Sequence, residues 1–99
     1  MSHRLVIHEE AYRELDEAER YIESRRTGYG IKFREEVATC LRFIVDRPTG
    51  HAVRRAGFRY GIVRRFPYRV IYKVDGEVTF VAPVYHGKRE PYGWMRRKP

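Results

Sequence analysis

The chain has 99 residues, of which 42% are hydrophobic and 34% charged, with a formal net charge of +8. That length suits one domain with a single core, and that apolar content excludes a wholly disordered polypeptide. The charge calls for a polyanion or an acidic protein as partner. It is unevenly placed: residues 1–50 carry nine Lys/Arg against ten Asp/Glu, and residues 51–99 twelve against three. The first half therefore reads as scaffold and the second as the working half. A solvated basic surface without a specific partner is the plainer alternative.

Arg4 to Ile7 is a short β-branched run and reads as a strand. Its apolar core, Leu5-Val6-Ile7, is too short for a signal peptide or a membrane span, so a cytoplasmic protein is expected. His8-Glu9-Glu10 opens a helix, on which Ala11, Leu15, Ala18 and Ile22 form one stripe. Thr27 to Gly30 breaks the period. A second helix carries Phe33, Val37, Cys40, Leu41, Ile44 and Val45 on one side and stops at Pro48. A short glycine-containing turn between two helices predicts an antiparallel hairpin. Tyr12, Tyr21 and Phe33 are expected in the core or the hairpin packing. Cys40, the single cysteine, is expected as a small buried hydrophobe, and no Cys/His spacing suggests a metal site.

After Pro48 the period becomes alternating. Strands are expected at Val53 to Ala56, Tyr60 to Arg65, Tyr68 to Val74 and Val78 to Tyr85. His86 to Pro99 is a polar, aromatic tail with room for one short helical turn. The fold class is α+β: an N-terminal strand and an antiparallel helix hairpin packed on one face of a mostly antiparallel twisted sheet. The organisation is one domain over 1–99, with strand and hairpin in 1–50 and basic sheet and tail in 51–99.

Asp75-Gly76 reads as a two-residue hairpin turn. With only those residues in the loop, Val74 pairs with Glu77, Arg69 with Ala82 and Arg65 with His86. Arg65, Arg69, Lys73 and His86 then share one face with Ile71, Val78, Phe80 and Val84. A bulge at Phe66-Pro67 would move Arg65 off that face, which leaves Arg69 with His86 as the safer pair. Arginines bind phosphate and stabilise developing charge, and a histidine can donate a proton near neutral pH. RNA would bring its own nucleophile, the ribose 2′-hydroxyl, so no metal or other cofactor is called for. The other reading of a strand-end histidine beside arginines is an ordinary surface residue. Arg54-Arg55, Arg64-Arg65, Lys88-Arg89 and Arg96-Arg97-Lys98 add nucleic-acid-binding candidates. Phe58, Tyr60, Phe66, Tyr68, Tyr85, Tyr92 and Trp94 are interleaved with them; most of the strand aromatics are expected in the core.

Phe66-Pro67-Tyr68-Arg69-Val70-Ile71-Tyr72, then Asp75-Gly76, then Val84-Tyr85-His86-Gly87-Lys88-Arg89-Glu90-Pro91 with Trp94 nearby, resembles the RelE/ParE toxin superfamily. The resemblance covers nearly the whole chain. It implies a plasmid-stabilising toxin of a type II toxin–antitoxin system, silenced by a cognate antitoxin that folds as it wraps the toxin. Ribonuclease members cut messenger RNA in the ribosome. On that branch the resemblance implies that Arg69 corresponds to a strand arginine some members use and that His86 falls near their strand-end histidine. The expectation built on it is that Arg69 and Arg89 hold phosphate and His86 acts as acid. Other members inhibit DNA gyrase without chemistry of their own, and the stretch from His86 to Trp94 resembles those as well. The lysine-rich strand of some ribonuclease members is replaced here by Arg54, Arg55, Arg64 and Arg65. The ribosome-dependent nuclease is the first expectation and the gyrase inhibitor the alternative. A basic domain without toxicity is the third.

Overall fold

A computed structural model describes residues 4–86, with side chains except at Arg55 and residues 83–86. The elements run β1 (Arg4–Ile7), α1 (Glu9–Arg25), α2 (Tyr29–Asp46), β2 (Val53–Arg55), β3 (Phe58–Val63), β4 (Tyr68–Asp75) and β5 (Val78–His86). One five-stranded sheet has the order β1-β5-β4-β3-β2; β1 runs parallel to β5 and every other pair is antiparallel. The α+β arrangement expected from the sequence is the one observed. Among the described residues no helix is long and apolar enough to cross a membrane.

Helix α1 starts at His8, whose Nδ1 accepts the Glu10 N–H at 2.9 Å and satisfies one of the free N-terminal donors. Ala11, Ala18 and Ile22 are buried and Leu15 packs against them, as the spacing predicts. At the hairpin turn, the Glu23 carboxylate of α1 accepts the N–H groups of Gly28 and Gly30, both at 2.9 Å. Glu23 thus caps α2 from the neighbouring helix, since Gly28 has no side chain to do so. These two bonds hold the Glu23 carboxyl below its ordinary value of 4.5. Arg34 of α2 reaches back to Glu19 at 2.6 Å.

Phe33, Val37, Cys40 and Ile44 of α2 meet Val63, Tyr68, Val70, Tyr72 and Val81 of the sheet in one core. Phe33 holds Phe66 and Tyr68 edge-on at centroid distances of 5.3 and 5.1 Å. A Cβ on Gly61 would lie 2.7 Å from Cys40 Sγ and 3.2 Å from Ile44 Cδ1. The missing side chain is what lets α2 come this close to β3. Tyr12 and Tyr21 depart from expectation. They are 60% and 56% exposed, because Tyr12 stands one position after the buried Ala11 and Tyr21 one position before the buried Ile22, off the α1 stripe.

The hairpin between β4 and β5 also departs from expectation. Asp75 pairs with Val78, so the loop is Gly76-Glu77. Positive φ falls on Gly76 alone (62°), the pattern of a turn with glycine first. A bulge follows: Tyr72 pairs with Val81 but Val70 with Val84, leaving Ala82 and Pro83 opposite Ile71. Pro83 has no N–H for the ladder, and a bulge is where a central strand tolerates it. These two changes put Arg69 opposite Tyr85, His86 opposite Tyr68 and Val84 opposite Val70. The expected pairings of Arg69 with Ala82 and of Arg65 with His86 are therefore replaced. Arg65 leaves the strands altogether: it lies in the turn between β3 and β4 with φ of 72°.

Candidate functional site

With both helices on one face of the sheet, alternation along each strand sends the remaining side chains to the other. On β4, Tyr68, Val70 and Tyr72 enter the core, while Arg69, Ile71 and Lys73 point away from the helices. On β3 the outward set is Phe58, Tyr60 and Ile62. Arg4, Val6, Asp75, Val78, Phe80 and Ala82 complete the strand positions of this open face. Arg69, Lys73, Ile71, Val78 and Phe80 thus share a face as the sequence suggests. Phe66 and Tyr68 are core aromatics; Phe58 and Tyr60 belong to the open face.

Arg54 reaches the same face by a bulge. Val53 pairs with Arg59 and Arg55 with Phe58, so Arg54 is the extra residue of β2. Ala56 (φ 54°) and Gly57 (φ 82°) close the strand pair in a tight turn with both central residues left-handed. A bulge re-aims a side chain, and here the Arg54 guanidinium lies over the Tyr60 ring at 5.9 Å from its centroid. The Arg69 guanidinium lies over the same ring at 5.4 Å. Lys73 Nζ stands 5.5 Å from the centre of Phe58. Each contact holds a cation on the quadrupole of a ring and leaves the charge near solvent.

The ion pairs among the described residues lie on the helix hairpin: Arg13–Glu10, Arg20–Asp16 and Arg34–Glu19. Arg54, Arg69 and Lys73 have no carboxylate within ion-pair distance among the described residues. A pocket of about 330 Å³ opens beside Arg69, lined by His51, Ala52, Arg54, Tyr60, Ile62 and Arg69. Among the described residues no three His, Cys, Asp or Glu side chains converge as metal ligands.

His51 was not singled out by the sequence. It stands in the loop after α2, where no periodicity speaks for its neighbours. Its Nδ1 is 2.8 Å from the Tyr72 hydroxyl, its ring packs on Phe43, and its carbonyl accepts a hydrogen bond from Arg59. Partial burial, then the Arg59 charge, lowers its pKa from the ordinary 6.5. Burial pushes Tyr72 up to about 12, against the opposing pull of Arg59. The Cys40 thiol, close by, is pushed by burial up to about 11, which suits a packing residue and not a nucleophile.

Of the other sequence candidates, Arg64 and Arg65 lie in the exposed turn between β3 and β4. Arg55 ends β2 opposite Phe58. His86 ends β5 opposite Tyr68, so its position falls in a different cross-strand row from Arg69. Lys88, Arg89, Arg96, Arg97 and Lys98, with Tyr92, Trp94 and the tail's expected helical turn, lie outside the described residues.

A sequence model of the ParE toxins of type II toxin–antitoxin systems matches residues 5–91. The chain belongs to this family, within the RelE/ParE superfamily, and is a toxin of the type II class. Solved structures share its fold. The chromosomal ParDE system of P. aeruginosa matches with a TM-score of 0.72 at 14% identity, over 86% of this chain and 96% of that one. A mutant of the E. coli toxin RelE in the free state matches with 0.63 at 24%, over 89% and 86%. The intact E. coli RelBE toxin–antitoxin complex matches with 0.63 at 25%, over 89% and 100%. No curated protein sequence matches the chain.

Proposed function

We propose that this toxin arrests growth by binding and inhibiting DNA gyrase, without bond-making chemistry of its own, and that a cognate antitoxin silences it in the cytoplasm. The observation that carries this reading is the β4–β5 register. The bulge at Ala82-Pro83 sets Arg69 opposite Tyr85 and His86 opposite Tyr68, so the arginine and the histidine do not stand in one cross-strand row. Metal-independent cleavage of RNA needs a phosphate holder and a proton donor converging on one phosphodiester. The family model that matches, that of the ParE toxins, points the same way.

A second reading is a ribosome-dependent, metal-independent messenger-RNA endonuclease that blocks translation. It draws support from Arg54 and Arg69, two guanidiniums converging on Tyr60 and free of carboxylates among the described residues. In it Arg69 and Arg89 hold phosphate, His86 donates the proton, and Arg54, Arg55, Arg64, Arg65, Lys88, Arg96 and Arg97 hold the RNA.

Induction from a tight promoter, with pulse labelling of DNA and protein during the first minutes, separates the two. A prompt fall in DNA synthesis with gyrase-linked double-strand breaks is expected. A prompt fall in protein synthesis with cut messenger RNA would replace it with the nuclease.

A further inference from the structure

Arg13, Arg20 and Arg34 of the helices pair with Glu10, Asp16 and Glu19. Arg54, Arg69 and Lys73 rest on aromatic rings, as Arg25, Arg26, Lys32 and Arg47 do elsewhere, but these three share one face of the sheet. Asp75, at the turn end, is the one carboxylate on the strand positions of this face among the described residues. The face therefore carries concentrated positive charge, held in place by rings and by the β2 bulge. Two guanidiniums stand 5.9 and 5.4 Å from the Tyr60 centroid and an ammonium 5.5 Å from that of Phe58, so an unpaired base stacking on either ring would compete with a cation already there. What the surface offers a nucleic acid is charge for phosphates, and that is the mode in which proteins hold duplex backbone.

We propose that the open face binds the sugar–phosphate backbone of duplex DNA through Arg54, Arg69 and Lys73, so that the toxin engages gyrase together with its DNA. The DNA contact stands on the geometry of the face; its tie to gyrase rests on the gyrase reading above. Binding neutralises about one phosphate per cation and releases its counterions. Affinity then falls with salt by roughly 0.9 log units per log unit of salt for each contact.

The full chain and a triple variant, Arg54→Gln, Arg69→Gln and Lys73→Gln, would be titrated with a short labelled duplex across a salt series. Thermal unfolding would verify that both are folded. The expected result is weaker binding by the variant, with a salt slope shallower by about 2.7. Arg54→Gln alone, on an exposed edge strand, should lower the slope by about 0.9 and serves if the triple variant does not fold. Unchanged affinity and slope overturn the proposal. So does tighter binding of single-stranded RNA of the same length, lost in the same variants, which would assign the face to RNA. Gyrase cleavage-complex assays keep the two claims apart. Wild-type trapping of gyrase with equal trapping by the variant overturns the tie between the DNA contact and gyrase and leaves the gyrase reading standing. Variant-sensitive duplex binding without any trapping sinks the gyrase reading and leaves the DNA contact standing.

Discussion

The ring of His51 and the hydroxyl of Tyr72 lie 2.8 Å apart, joining the loop after α2 to the centre of the sheet. Neutral His51 with its proton on Nε2 accepts the Tyr72 hydroxyl at Nδ1. Protonation removes that acceptor and places a second positive charge near Arg59. Because the folded-state pKa is lowered, the folded protein binds fewer protons than the unfolded chain as pH drops through 6.5. Stability is therefore full above 6.5, falls as pH drops below it, and stops falling from this cause below the folded pKa. Denaturant unfolding at a series of pH values should show this slope, and His51→Gln should flatten it. An unchanged slope in the variant would assign the pH dependence to other groups.

Gly61→Ala tests how closely α2 sits on β3. The new Cβ would meet Cys40 Sγ at 2.7 Å, inside any normal contact, so the helix or the strand must shift. A loss of about 1–3 kcal/mol is expected from overpacking. The double variant with Cys40→Ala should recover part of it, because the clashing sulfur is gone. Additive losses in that double variant would show that the strain lies elsewhere.

Glu23→Ala removes the acceptor for the Gly28 and Gly30 N–H groups at the start of α2. The carboxyl pKa is lowered in the folded state, so its contribution is complete above the unfolded value of 4.5 and disappears as pH falls through the folded one. At neutral pH the variant should melt below wild type. In strong acid the two melting temperatures should converge. A gap that persists in acid would mean that packing, not the charged cap, is what the variant loses.

Arg69→Gln and Lys73→Gln separate function from folding. Both side chains point away from the core, and substitutions at such sites usually change stability by less than about 0.5 kcal/mol. Growth arrest on induction should nevertheless weaken in both, while Val70→Ala, between them on the same strand but fully buried, should act through stability. Undiminished arrest by the glutamine variants would remove the open face from the mechanism.

The elements were legible where a period runs long enough to average out exceptions. Ala11, Leu15, Ala18 and Ile22 marked α1, and Phe33, Val37, Cys40 and Ile44 marked α2, because a helix face repeats over several turns. Register was not legible to the residue. Asp75-Gly76 and Gly76-Glu77 both put a left-handed glycine in the loop, and a slip of one residue reassigns every partner beyond it. The second displacement did have a signal, Pro83 within a central strand, since a missing N–H calls for a bulge. Arg54 was found by its charge, but its route to Tyr60 depends on a bulge and on the left-handed Ala56, neither of which β-propensity anticipates. His51 meets Tyr72 across 21 residues of chain, a contact made by the packing of a loop and visible only in three dimensions.

Strand β4 carries two unrelated sets on alternate residues: Tyr68, Val70 and Tyr72 enter the core, and Arg69 and Lys73 face away from it, on the surface proposed for DNA. Inheritance can act on one set and leave the other unread. If the open face acts as proposed, a lineage that must escape its own toxin has single-codon routes through Arg69 or Lys73 that keep a well-folded protein in the cell. Such a disarmed chain would still occupy antitoxin, so losing the poison and losing the protein are separate evolutionary events.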